Sequence, residues 1–110
     1  YLGFLALALL GDVASADVAE LPCDLFEKSG TPCVAAHSVT RLLRSNYTGP
    51  LYQVQRMERG WFRRYGGERR DIFALQDGIG AADSASQDAF CLDAKKECII
   101  SIIYDQSPMK

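Results

Sequence analysis

Residues 98–107 read CIISIIYDQS. Isoleucine at 99, 100, 102 and 103 followed by Tyr104 is the composition of a β-strand. The run Ile99–Tyr104 is nearly continuous in apolar residues, so it predicts a central strand buried on both faces. Just upstream, Cys91 to Cys98 encloses a charged hairpin, CLDAKKEC, through Asp93, Lys95, Lys96 and Glu97. Before that, Asp83 to Phe90 reads as a short helix. Asp83 or Ser84 is its cap, and Ala85, Ala89 and Phe90 form its buried face.

Further out, Leu51-Tyr52-Gln53-Val54 alternates like a short strand, and Asp71 to Leu75 resumes one. Gly78 and Gly80 mark a turn. Residues 56–70, RMERGWFRRYGGERR, carry six arginines with Trp61, Phe62, Tyr65 and three glycines, with no clean period. This segment reads as a hairpin or a solvated surface loop. Toward the N-terminus, Val34, Ala35, Val39, Leu42 and Leu43 recur at helical spacing. Thr31 suits an N-cap, Pro32 a first helical position, and Arg41 and Arg44 a last turn. The main helix is therefore expected over Pro32–Arg44, ended by Asn46-Tyr47-Thr48-Gly49-Pro50.

The first ten residues, YLGFLALALL, are apolar and uncharged. They are too few to span a bilayer, which takes about 20, and fit the apolar core of a secretory leader. Ala14-Ser15-Ala16 is a small-x-small cleavage site with Asp17 as the first mature residue. A charged opening and an initiating Met are absent, so either the leader is incomplete at its start or the run is a buried segment. Secretion turns the four cysteines toward disulfides. Three connectivities are possible. Local pairing, Cys23 with Cys33 and Cys91 with Cys98, closes the shortest loops. Neither spacing suits zinc. The net charge of −2 over 110 residues argues neither for a nucleic-acid partner nor for an acidic tail. The hydrophobic content of 48% suits a folded mature chain.

Three blocks then stand in order. The first is Cys23 to Cys33, continuing through Ala36-His37-Ser38, Thr40-Arg41 and the run from Tyr47 to Arg56. The second is Ser86-Gln87-Asp88-Ala89-Phe90-Cys91. The third is Ile102-Ile103-Tyr104-Asp105-Gln106-Ser107. In order and approximate spacing this resembles the opening of the catalytic domain of arabinofuranosidase B-type enzymes, family 54 of the glycoside hydrolases. The resemblance implies a concanavalin-like β-sandwich. It also implies retaining hydrolysis of terminal non-reducing α-L-arabinofuranosyl residues of arabinan and arabinoxylan. Two segments depart from the family pattern: Met57–Arg70 is longer and more basic, and the loop CLDAKKEC is longer. Beyond Asp105-Gln106 the family continues through a Gly-rich stretch. Here Ser107-Pro108-Met109-Lys110 follows, so a truncated domain is expected.

Retaining hydrolysis needs two carboxyl groups about 5–5.5 Å apart, one a nucleophile and one an acid/base. In the resembled family these are a Glu and an Asp beyond the stretch that this chain matches. The carboxylates to weigh here are Asp24, Asp71, Asp83, Asp88 and Asp105. Asp83 reads as a cap, Asp88 as part of a solvated helix face and Asp105 as a strand-end turn residue. His37 reads as a structural hydrogen-bonding residue on the expected helix, and Ser38 lacks an acidic partner for a triad. No residue is assigned a catalytic, cofactor-binding or metal-ligating role. The basic aromatic segment 56–70 suits phosphate contact and stacking, which secretion makes unsuitable, or an aromatic sugar platform. Asn46-Tyr47-Thr48 is an N-glycosylation sequon.

The expectation is a mostly β chain, a partial concanavalin-like β-sandwich with one or two short helices. Residues 1–16 are a leader and 17–110 the N-terminal fragment of the catalytic domain. The fragment is expected to be secreted, extracellular and inactive alone. Its partner is an arabinose-containing plant polysaccharide, with no cofactor, no nucleic acid, and no membrane after leader cleavage. The rival reading is a non-catalytic carbohydrate-binding β-sandwich module.

Overall fold

The computed structural model describes residues 20–61, 63–92 and 97–109. The expected leader 1–16, Phe62 and residues 93–96 of the expected charged hairpin lie outside them. The described chain is mostly β, with two short helices. Helix α1 spans Pro22–Lys28, strand β1 Tyr52–Arg59, strand β2 Arg64–Ile72, helix α2 Ser84–Leu92 and strand β3 Cys98–Ile103. The strands form one antiparallel sheet in the order β2-β1-β3.

Helix α1 begins where Pro22 supplies a pre-set φ, with Asp24 in its first turn and Lys28 in its last, both matching the macrodipole. It ends in a Schellman turn. Gly30, at φ 80°, donates its N–H to Glu27 O at 3.1 Å, and Thr31 donates to Phe26 O at 2.9 Å. A disulfide joins Cys23 to Cys33 beyond that turn.

The helix expected over Pro32–Arg44 is not formed; these residues are irregular chain. Their backbone donors are taken by distant acceptors. Ala36 N–H goes to Asp105 Oδ1 at 2.9 Å, Leu42 N–H to Gly80 O at 2.8 Å and Leu43 N–H to Gln106 Oε1 at 2.8 Å. Ser38 Oγ accepts from the amides of Thr40 and Arg41 at 3.2 Å each, a local turn that competes with helix. The apolar spacing serves uneven packing instead: Ala36 is buried while Val34 is exposed.

β1 runs longer than the strand expected at Leu51–Val54, and segment 56–70 resolves as a hairpin with β2. The hairpin closes through Gly60 N–H to Arg63 O at 2.8 Å. Its register shifts between Gln55 and Met57, where Gly67 and Glu68 together face Arg56, a bulge. β2 ends at Ile72, short of the expected Leu75. The following residues form a small ladder instead, with Ala74 bridging Ala82 and Leu75 N–H reaching Ala81 O at 2.7 Å. Gly78 and Gly80 turn the chain at positive φ, and Asp77 Oδ1 accepts the amides of Ile79 and Gly80.

Asp83 caps α2, accepting Ser86 N–H at 3.1 Å and Ser86 Oγ–H at 2.6 Å. Phe90 is buried, but Ala85 and Ala89, expected beside it, are exposed. The helix is held to the sheet by other means. Tyr52 O–H donates to Gln87 Oε1, Arg56 stacks 4.1 Å over the Phe90 ring and donates to its carbonyl, and a disulfide joins Cys91 to Cys98. The core is Tyr47, Leu51, Tyr52, Val54, Ile72 and Phe90. Fully burying one such side chain stabilises by about 1.5–3 kcal/mol. Each disulfide closes a loop of 10 or 7 residues, and a loop of that size constrains the unfolded chain by about 2–3 kcal/mol.

β3 forms as expected in sequence but not in position. It lies at the edge, and β1 is central. Ile99, Ile100, Ile102 and Ile103 are 40–47% exposed. A register shift between Gln53 and Val54 sets Ile103 and Ile100 opposite Tyr52 and Val54, and Ile102 and Ile99 opposite Gln53 and Gln55. Opposed residues share a face, so β3 shows isoleucine on both sides of the sheet. The apolar run predicts burial on both faces; within the described residues nothing covers either side fully.

Candidate functional site

The densest polar structure lies where β3 ends. Gln106 is fully buried. Its Oε1 accepts Leu43 N–H, its Nε2 donates to Arg41 O at 3.2 Å, its N–H reaches Ala36 O at 2.7 Å, and its carbonyl accepts Arg44 Nε–H at 3.0 Å. Asp105 Oδ1 accepts the amides of Ala36 and Ser107 at 2.9 Å each, and Ser107 Oγ donates to Val34 O at 3.2 Å. Residues 105–107 thus take up the backbone that a helix over 34–44 would have paired internally. The amide of Ser107, then that of Ala36, holds the Asp105 carboxyl below its ordinary range; the nearby His37 adds to this.

The other carboxylates are dispersed. Asp24, on α1, accepts Ser45 N–H at 3.1 Å and so ties the helix to the turn at 44–46. Asp71, near the end of β2, accepts from Tyr104 O–H at 2.9 Å and Gln53 Nε2–H at 3.0 Å. Burial first, then the bond to Asp71, raises the Tyr104 phenol. Asp83 is occupied as a cap, and the Ser86 hydroxyl and amide lower its pKa. Asp88 is exposed on α2. His37 is exposed on irregular chain rather than on a helix, and Ser38 is a turn residue.

Retaining hydrolysis asks for a carboxyl kept protonated to act as acid and a second across the bond. Asp83 and Asp105 are instead biased toward the ionised form by the groups bonded to them. A cleft of about 540 Å³ opens between α1 and the turn at 75–80, with Asp24, Glu27, Asn46, Leu42, Leu75 and Ile79 in its lining. Sequence reading gave no sign of it, because its walls are far apart in the chain. Asp24 and Glu27 are three apart on one helix and share a face, so they do not flank a bond from opposite sides. Among the described residues no His, Cys, Asp and Glu cluster suits a metal ion. Gln106, which organises the polar node, was missed as well.

The family described as "Alpha-L-arabinofuranosidase B, catalytic" matches residues 22–110. A probable alpha-L-arabinofuranosidase B of Aspergillus flavus is 54% identical over 99 residues, covering 89% of this chain and 18% of that protein. The alpha-L-arabinofuranosidase B of Emericella nidulans is 50% identical over 103 residues, covering 94% of this chain and 18% of its own length. Two solved structures each superpose with a TM-score of 0.63 at 48% identity, over 79% of this chain and 16% of theirs. One is a GH54 arabinofuranosidase mutant soaked with 4-nitrophenyl α-L-arabinofuranoside, the other an arabinofuranosidase complexed with arabinofuranosyl-α-1,2-xylobiose. The chain therefore spans less than a fifth of the relatives it matches.

Proposed function

The chain belongs to the alpha-L-arabinofuranosidase B catalytic family, and on that premise we propose that it is part of a secreted, retaining arabinofuranosidase domain. The whole domain would release terminal non-reducing α-L-arabinofuranosyl residues from arabinan and arabinoxylan, yielding L-arabinose. The observation that carries this reading is the family match running unbroken from residue 22 to residue 110. A relative bound to arabinofuranosyl-xylobiose supports an arabinose-bearing substrate.

In this reading the chain supplies scaffold. The nucleophile and the acid/base come from elsewhere in the domain, since Asp24, Asp83 and Asp105 are engaged by backbone amides and Asp71 by Tyr104 and Gln53. The isoleucines showing on both faces of β3 favour a sheet that further strands extend and cover, giving the sandwich, over a free-standing binding module. Residues 1–16 act as the secretory leader. Asn46 and Thr48 are exposed around the buried Tyr47, which leaves the sequon open to glycosylation.

The test is a chimera in which residues 22–107 replace the matched segment of a family enzyme. The reading expects turnover of 4-nitrophenyl α-L-arabinofuranoside comparable to that of the parent. A chimera that folds cooperatively yet neither binds nor cleaves the glycoside would refute it.

A further inference from the structure

The β1–β2 hairpin extends past the rest of the fold. β3 pairs with β1 only as far as Arg56, whereas β1 and β2 continue to the pair Arg59↔Arg64. No member of the buried core lies between residues 55 and 71. The distal half is thus a two-stranded ribbon, an arrangement only marginally stable in water.

Its charge is concentrated. Residues 56–70 hold six arginines and two glutamates, a net +4. The whole chain carries −2, which leaves −6 on the other 95 residues. At the base of the ribbon the arginines have structural work: Arg56 pairs with Glu68 at 2.7 Å, and both Arg56 and Arg70 lie over Phe90. Further out, Arg59 and Arg63 are exposed, as are Tyr65 and Trp61, the latter 93% exposed, and Arg69 is exposed at the base. The register sets Arg59 opposite Arg64, and Arg69 opposite Gln55. By alternation Gln55, Met57 and Arg59 share a face, so Arg59 and Arg69 occupy positions on one side of the ribbon.

We propose that this ribbon is a docking arm for an acidic polysaccharide, a glycan chain bearing uronate carboxylates. A guanidinium fork matches a carboxylate with two parallel hydrogen bonds, and exposed aromatic rings offer broad apolar faces to sugar rings. A row of arginines along an extended ribbon suits a row of carboxylates along an extended polymer. The choice of a glycan over another polyanion rests on the arabinofuranosidase reading above. The arm would hold the domain on charged polymer while neutral arabinosyl branches are cleaved elsewhere.

The experiment is affinity electrophoresis of the full chain through gels containing polygalacturonate, the fully methyl-esterified polymer, or neutral arabinan. The proposal expects retardation by polygalacturonate alone. The retardation should be lost between about 0.1 M and about 1 M NaCl, as the screening length falls from about 10 Å to about 3 Å. The triple variant Arg59→Ser, Arg63→Ser, Arg69→Ser should bind about tenfold more weakly, the scale of three exposed ion pairs, with an unchanged circular dichroism spectrum. Trp61→Ala should weaken binding without changing its salt dependence. Unchanged mobility in polygalacturonate overturns the proposal. So does equal retardation of the triple variant, or equal binding to single-stranded DNA or to phosphatidylserine vesicles. Binding is read without turnover, so failure here leaves the arabinofuranosidase reading standing, and an inactive chimera leaves this one standing.

Discussion

Replacing Gln106 with Ala tests whether the end of β3 organises the irregular segment 34–44. The side chain is fully buried and makes two hydrogen bonds, accepting from Leu43 N–H at 2.8 Å and donating to Arg41 O at 3.2 Å. Truncation leaves a backbone donor and a backbone acceptor without partners. Each such buried group costs about 1–3 kcal/mol, so the loss is about 2–6 kcal/mol, a large share of a small domain's stability. Gln106→Leu refills much of the volume without restoring either bond. It should recover only the packing part and stay at least about 2 kcal/mol below the parent. The assay is urea unfolding followed by far-ultraviolet circular dichroism, with an unchanged slope showing that the unfolded state is comparable. A Gln106→Ala change within about 0.5 kcal/mol of the parent, the range of an ordinary surface substitution, would refute the node. A fully recovered Gln106→Leu would show that packing, not hydrogen bonding, holds the segment.

Ile102 is 40% exposed on an edge strand and Ile72 is fully buried at the sheet's core. Ile102→Asp should therefore leave the chain folded, while Ile72→Asp, which buries an unpaired charge, abolishes cooperative unfolding; equal effects would contradict the strand order. Asp83 and Asp105 sit below the ordinary 3.8 when folded, so folded chain binds their protons less readily than unfolded chain. Their contribution is present above the unfolded pKa and lost as pH falls through the depressed folded value. The stability gap between the parent and Asp105→Asn should accordingly shrink as pH drops below about 4, and a gap independent of pH would count against it. On secretion from a yeast host, intact mass should show a glycan that peptide N-glycosidase removes and that Asn46→Gln abolishes; an unmodified secreted product would count against the sequon.

Local signals were legible in the sequence. The Asp83 cap acts within one turn, Gly78 and Gly80 mark a turn by composition, and each disulfide closes a short loop. The hairpin at 56–70 was legible as an alternative, although its bulge at Arg56 erased the period that would have marked two strands. Long-range features were not legible. The spacing of Val34, Val39 and Leu42 is helical, yet the amides of Ala36 and Leu43 are bonded to Asp105 and Gln106, 69 and 63 positions away. The one helix there lies upstream, where Pro22 and Asp24 start it and Gly30 stops it, and a disulfide joins Cys23 to Cys33. The isoleucines of β3 announce burial truly enough as chemistry, but their cover is not among the described residues. Gln106 looked like an ordinary polar residue because its partners, Arg41 and Leu43, are distant in sequence.

The account rests on the statement that Asp24, Asp71, Asp83, Asp88 and Asp105 do not cleave glycosides. The most direct measurement is release of 4-nitrophenol from 4-nitrophenyl α-L-arabinofuranoside by the purified chain, alone and as Asp24→Asn, Asp71→Asn, Asp83→Asn, Asp88→Asn and Asp105→Asn variants. The account predicts no turnover above background from any of them. Turnover by the parent that a single Asp→Asn change removes would place a catalytic carboxylate within this chain and contradict it.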